Sequence, residues 1–464
     1  MTTAPAPARK LDPALLKLAG VVVLGALMSS LDTTVVNVGV DTLGTDLHAP
    51  LPLVQWVSTS YLLALSLVIP LSGWAVDRLG AKKVWLLSLS VFVIGSALCG
   101  LANSIGELIA FRALQGLGGG LLMPVLQTIL ARAAGPALVG RLMSLVTLPV
   151  MLSPVFGPVL AGFLIDTLGW QWIFYVNLPI GVVALALAWF KLPAGEPVPG
   201  ERLDWLGMLL LSPGLAASVY GLILIGEGGD TAGGAGWLVA GLALVGAFCW
   251  HALRGREAKP LLDLRLFATK GFSVSWLGAF LLGAGLFGFL FVLPLYYQVG
   301  LGKNALEAGL FLLPQGVGVA LVSPFTGRLT DRFGVRAVVT LGVLAMVVGT
   351  APFVLLDSHP DSVQLVVALV LRGLGLGASL MPTTAAAYQF VAKQTVPRAA
   401  TLMAISQRIG GSLATAVLAV VLHRWLDATG NNMAFSFGQT FLWALAIGLL
   451  ALVPALMLPA RTRP

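Results

Sequence analysis

The chain has 464 residues, 58% of them hydrophobic and only 10% charged, with a mean hydropathy of +0.95. Soluble domains carry about 25% charged residues, so this chain cannot clothe itself in water and reads as an integral membrane protein. Its net charge of +8 does not point to nucleic acid, because the basic residues sit in short loops between apolar runs.

The polar lead MTTAPAPARKLDPALLK precedes an apolar run too long for a cleaved signal peptide, which is therefore expected to stay as the first span. Apolar runs fall at roughly 16–40, 53–75, 84–103, 107–130, 143–165 and 172–191. A polar linker, KLPAGEPVPGERLD, separates these from runs at roughly 205–226 and 236–252, and the basic linker RGREAKPLLDLRLFATK follows. The last runs lie at roughly 272–296, 305–326, 336–356, 363–386, 399–423 and 437–459, giving fourteen expected spans. The runs are continuous over about 20 residues, which excludes the alternating strands of a membrane barrel.

Lysine and arginine set the orientation. With the N-terminus in the cytoplasm, the outer segments hold only Lys303 and Arg424, and all other loop cations lie inside. Both termini are therefore expected in the cytoplasm, and an even number of spans follows.

Two loops repeat. GWAVDRLGAKKV (73–84) follows span 2, and GRLTDRFGVRAV (327–338) follows span 10. Each follows the second span of a six-span block, so the expected organisation is residues 1–191 as an N-terminal six-helix unit, 192–270 as linkers with two inserted spans, and 271–464 as a C-terminal six-helix unit. Parallel halves of this kind are a transporter architecture, with the substrate site between them near the midplane. In the loops, Gly73 and Gly80 permit close approach and a tight turn. Asp77 can bond a neighbouring helix N-terminus or an arginine across the turn, forming a releasable charge latch.

Charged residues inside the spans are few, and each marks a candidate site. Asp32, in LDTTVV, lies about 24 Å along the helix from residue 16, toward the outer half. It reads either as a structural acid bonded to Thr33, Thr34 or Asn37, or as a carboxyl that takes up and releases a proton and attracts a cationic cargo. From its position it should exchange readily with the outside. Arg112 reads either as snorkelling from a span end or as a buried partner for such an acid, with Gln115 on nearly the same face. Arg372 and Arg408 are rare charges in the C-terminal half, and Gln389 and Gln407 are candidate pore residues. Among the aromatics Trp56, Tyr61, Trp276, Tyr296 and Tyr297, lipid contact competes with pore lining, while Phe287 and Phe291 are the best cavity candidates. Gly157-Pro158 in span 5 should bend or soften its helix.

Other chemistry is not written here. The glycines at 116 and 118–120 lie inside a span with no following Lys-Ser/Thr, so they are no phosphate loop and ATP is not the energy source. Cys99 and Cys249 read as packing residues, and the four histidines show no metal-ligand spacing.

The whole chain resembles the major facilitator superfamily, in its fourteen-span drug:proton antiporter family. The loops carrying Gly73, Asp77, Arg78, Gly80 and Lys83, and Asp331, Arg332 and Gly334, look like the superfamily's cytoplasmic gating motif, with Ala81 where a basic residue is common. FRALQGLGGGLLMP (111–124) is similar to the fourth-span motif, whose arginine, here Arg112, is implicated in proton transfer. LPVMLSPVFGPVLAGFL (148–164) is similar to the antiporter motif through Gly157, Pro158 and Gly162, with Ser144, Ser153 and Ala161 replacing glycines. WQWIFYVNLPIG, LPLYYQ and LDTTVVNV match further family patterns.

The resemblance implies an all-α membrane protein of two six-helix bundles plus two inserted helices. It implies no enzyme and no cofactor, but a monomeric multidrug efflux transporter of the cell membrane, exchanging lipophilic, often cationic compounds for protons. A dedicated exporter of one metabolite, antibiotic or siderophore fits the same residues. A non-transporting sensor, channel or enzyme is the remote alternative.

Overall fold

The computed structural model describes residues 12–36, 39–194, 203–226, 231–254, 261–303, 305–355, 362–430 and 432–460. The described residues are helical throughout, without strands, as a chain crossing hydrocarbon must be to satisfy its own backbone. Short polar residues cap a few of the helices. Asp12 accepts from the Ala14 amide at 2.9 Å, Ser104 from Glu107 at 3.3 Å and Asn432 from Phe435 at 3.2 Å.

Span 1 is Pro13–Val35. Span 2 is broken into Leu51–Val68 and Leu71–Leu79, bent by 56° beside Pro70, which cannot continue the hydrogen-bond ladder. Span 3 is Ala81–Gly100. The helical run Ile105–Leu168 then holds 64 residues, which would reach about 96 Å if straight. It is instead two legs. Leu108 and Leu164 share one apolar cluster, while Leu130 and Leu142 share another, so the run goes out and returns. Among the described residues, twelve helices are long and apolar enough to cross a membrane, the bent pair makes thirteen, and the return leg stands where the sequence places span 5.

The remaining N-terminal span is Trp172–Lys191. The inserted spans 7 and 8, Trp205–Gly226 and Thr231–Arg254, pack on each other, and span 7 also packs against spans 2 and 13. Asp204 ties this pair together, accepting from the amides of Gly207 and Leu261 and facing His251 Nε2 at 3.0 Å. The C-terminal bundle follows: Lys270–Gly300, Glu307–Phe333, Val335–Leu355, Ser362–Gln389, Val396–Ala428 and Met433–Met457.

The halves meet unequally along their length. On the side of the repeated loops, one cluster runs through both, from Val84 and Leu130 to Tyr388 and Ala400. On the opposite side the cores are separate: Val57, Cys99 and Leu164 belong to one, Phe289, Leu293 and Phe441 to the other. The protein is therefore sealed on the loop side.

Candidate functional site: a buried acid beside a central cavity

The Asp32 carboxylate is fully buried. Oδ2 accepts from Arg112 Nη1 at 2.6 Å, and Oδ1 accepts from Gln115 Nε2 at 2.9 Å and Asn177 Nδ2 at 3.1 Å. Side-chain exposure is 0% for Asp32 and 1% for Arg112, so Arg112 does not snorkel and Asp32 has no open route to the outside in this conformation. Thr33 and Thr34 donate to the carbonyls of Ser30 and Leu31 rather than to Asp32, because a helical hydroxyl reaches back one turn. Asn37 lies outside the described residues.

Arg112 is held on every side. Nε donates to the Val57 carbonyl at 3.2 Å, Nη1 also reaches Gln115 Oε1 at 2.5 Å, and the guanidinium lies 4.2 Å from the Tyr61 ring centroid. Ser96 joins Gln115 and Asn177, each at 2.9 Å. The sequence reading missed Asn177 and Ser96 as partners. A lone asparagine in FYVNLPIG was the available signal.

Tyr61 separates this network from a cavity of about 160 Å³ between the halves. Its hydroxyl lies 3.2 Å from Ser29 Oγ, and Ser29 lines the cavity wall. Opposite stand Phe287, Gln407 and Arg408, with Gln315 and Gln127 at the ends. Gln127 accepts from Tyr388 at 3.0 Å across the halves, closing the cavity toward the loop side.

Of the expected cavity residues, Phe287 and Gln407 line it. Gln115 does not, because its amide is spent on Asp32 and Ser96. Phe291 does not either, since it sits one turn, about 5.4 Å, beyond Phe287 and packs on the cluster of Phe289 and Leu293. The other aromatics are elsewhere: Trp56 packs on Tyr220, Trp276 donates to the Leu402 carbonyl, and Tyr296 and Tyr297 belong to the C-terminal core of Phe289 and Phe441.

Arg372, in span 12, is also buried, yet it has no acid. It donates to Gln315 Oε1 at 2.9 Å, the Gly285 carbonyl at 2.6 Å and Thr350 Oγ1 at 3.3 Å, and lies 3.6 Å over Phe289.

The two repeated loops share a backbone and differ in docking. Gly80 and Gly334 take φ of 84° and 85°, a region that favours glycine. Asp77 is buried and pairs with Arg132 at 3.2 Å and with Arg398 of the other half at 3.6 Å. Gly73 admits this approach, as a Cβ there would stand 3.3 Å from the Arg398 backbone. Next to it, Ser72 and Thr401 hydroxyls meet at 2.6 Å. Arg78 and Lys83 are exposed, as are Asp331 and Arg332 of the second copy.

In span 5 the backbone stays helical through Gly157 and Pro158. The Pro158 side chain lies outside the described ones. A side chain on Gly157 would collide with Thr34, whereas Gly162 has open space, so only the first of these glycines is required by packing in this conformation.

Residues 22–415 and 275–464 match the Major Facilitator Superfamily. A Mycobacterium tuberculosis protein named multidrug resistance protein B homolog is 39% identical over 436 residues, 92% of this chain and 81% of that protein. MdtD of Cronobacter sakazakii, provisionally named for multidrug resistance, is 31% identical over 93% of both chains. Among solved structures, a proton:xylose symporter of the superfamily superposes with a TM-score of 0.66 at 16% identity, over 94% of this chain and 96% of that one. That likeness carries the fold alone.

Proposed function

The chain belongs to the major facilitator superfamily and is a membrane transporter rather than an enzyme; on that premise we propose that it exports lipophilic small molecules across the cytoplasmic membrane by proton-coupled antiport. Both termini lie in the cytoplasm on this reading, as the lysine and arginine bias requires. Export of drugs is supported by the naming of two relatives that align with nearly the whole chain.

The observation that carries proton coupling is the Asp32–Arg112 pair, set apart from the cavity yet joined to its wall. A proton arriving on Asp32 removes the counter-charge of a buried guanidinium, a change worth several kcal/mol in such surroundings. Arg112 rests on Tyr61, and Tyr61 on Ser29 of the cavity wall. Protonation and cargo occupancy thus act on one strip of spans 1, 2 and 4. On the loop side, the Asp77–Arg398 and Ser72–Thr401 contacts must break for the cavity to open toward the cytoplasm. Energy comes from the proton gradient, with no cofactor.

The test is proton release. Inverted vesicles carrying a pH gradient receive a panel of lipophilic cations, neutral drugs and acids. Wild type is expected to dissipate the gradient with some of them, and Asp32→Asn with none. Equal dissipation by Asp32→Asn would remove Asp32 from the coupling role. No response of wild type to any compound would end the antiport reading.

A further inference from the structure

Among the described residues, Asp32 is the buried carboxylate near the cavity, Asp77 lying at the loop-side end, and three guanidiniums sit at the same depth, Arg112, Arg372 and Arg408. Arg112 neutralises Asp32 at 2.6 Å. Arg372 spends its donors on Gln315, Gly285 and Thr350 behind the cavity wall. Arg408 is different. It lines the cavity, half-buried, with its guanidinium 5.9 Å from the Phe287 ring and no hydrogen-bond or ion-pair partner among the described residues. No aspartate or glutamate is among the described residues that line the cavity.

A half-buried guanidinium with no protein acceptor favours an anionic partner, because hydrogen bonds between ionised groups are the strong ones. The cavity offers it only amide and hydroxyl neighbours, and Gln407, next in sequence, turns its amide to Thr384 at 3.3 Å. An organic anion would supply the charged acceptor that these neighbours do not. A cation placed here would instead face Arg408 directly, with Arg372 one side chain behind Gln315, and the acid near the cavity, Asp32, is already paired with Arg112.

We propose that the cargo of this transporter is an amphipathic organic anion, a carboxylate or sulfonate on an apolar body, whose head group binds Arg408. Its apolar body lies on Phe287 and among Met123, Met143 and Met381, whose unbranched side chains adapt to different shapes. This rests on the transport reading above and replaces the cationic preference that Asp32 alone suggested.

Tracer counterflow with the full chain in proteoliposomes tests it. The probes are naphthalenesulfonate and naphthyltrimethylammonium, matched in ring and opposite in charge. Wild type is expected to exchange the sulfonate about tenfold faster or more, the scale of one hydrogen bond to a charged group. Arg408→Gln should cut sulfonate exchange by a similar factor and leave the ammonium rate unchanged or raised, while Arg408→Lys should retain most of it. Faster ammonium exchange by wild type, or sulfonate exchange indifferent to Arg408→Gln, would overturn the proposal. If Arg408→Gln does not fold, the wild-type ratio decides alone. Exchange of neither probe overturns this proposal, and the antiport reading falls with it only if the vesicle panel is also silent.

Discussion

The fourth span of each half buries an arginine that bonds the first and second spans of its own half, and the two are answered differently. Arg112 meets the Asp32 carboxylate in span 1 and the Val57 carbonyl in span 2. Arg372 meets the Gly285 carbonyl in span 9 and the Gln315 amide in span 10. The scaffold is the same, but one half carries a group that can change charge and the other only fixed dipoles. On the antiport reading the N-terminal half is the one that responds to protons, while the C-terminal half keeps Arg372 behind the cavity wall and Arg408 in it. The repeated loops divide in the same way: Asp77 is buried against the opposite half, and Asp331 stays exposed.

The sharpest way to break this comparison is to remove each arginine. Arg112→Ala strands a buried carboxylate and should cost about 3–5 kcal/mol, with stability partly regained in Arg112→Ala/Asp32→Asn. Arg372→Ala strands only neutral acceptors and should cost about 1–3 kcal/mol. Thermal unfolding in detergent reads both, and equal losses without rescue would erase the distinction. Next comes the latch. Asp77→Asn should weaken loop-side closure by about 1–3 kcal/mol, as expected for bonds to a charged group, while Asp331→Asn changes closure little. Labelling of an introduced Gln127→Cys by an impermeant thiol reagent should accelerate only in the first, above the Cys99 and Cys249 background. The smallest effects lie in span 5. Gly157→Ala must displace Thr34 and should cost about 1–3 kcal/mol by overpacking, whereas Gly162→Ala enters open space and should fall within about 0.5 kcal/mol of wild type, both by the same unfolding assay.

Much of this was legible in the sequence, for physical reasons. Long apolar runs gave the spans, and a charge in hydrocarbon is conspicuous enough that Asp32, Arg112, Arg372 and Arg408 were all found. What was not legible is rotation. A helix apolar all round carries no polar face to say which side turns inward, so the capture of Asp32 by Asn177 and Gln115, rather than by its neighbours Thr33 and Thr34, had no periodic signal. Phe287 and Phe291 share a face, yet only the cavity's height separates them. The sequence offered Arg112 either as snorkelling or as a partner for Asp32, and only the fold, which sets the two 2.6 Å apart, decides between them.

The central claim is that the proton site and the cargo site are distinct, Asp32 behind Tyr61 and the cavity at Arg408. One comparison addresses it directly: in proteoliposomes holding Asp32→Asn, measure both cargo counterflow without a pH gradient and uphill cargo movement with one. The account predicts that counterflow persists near the wild-type rate while gradient-driven accumulation is lost. Loss of both together would show that Asp32 holds the cargo itself and would contradict it.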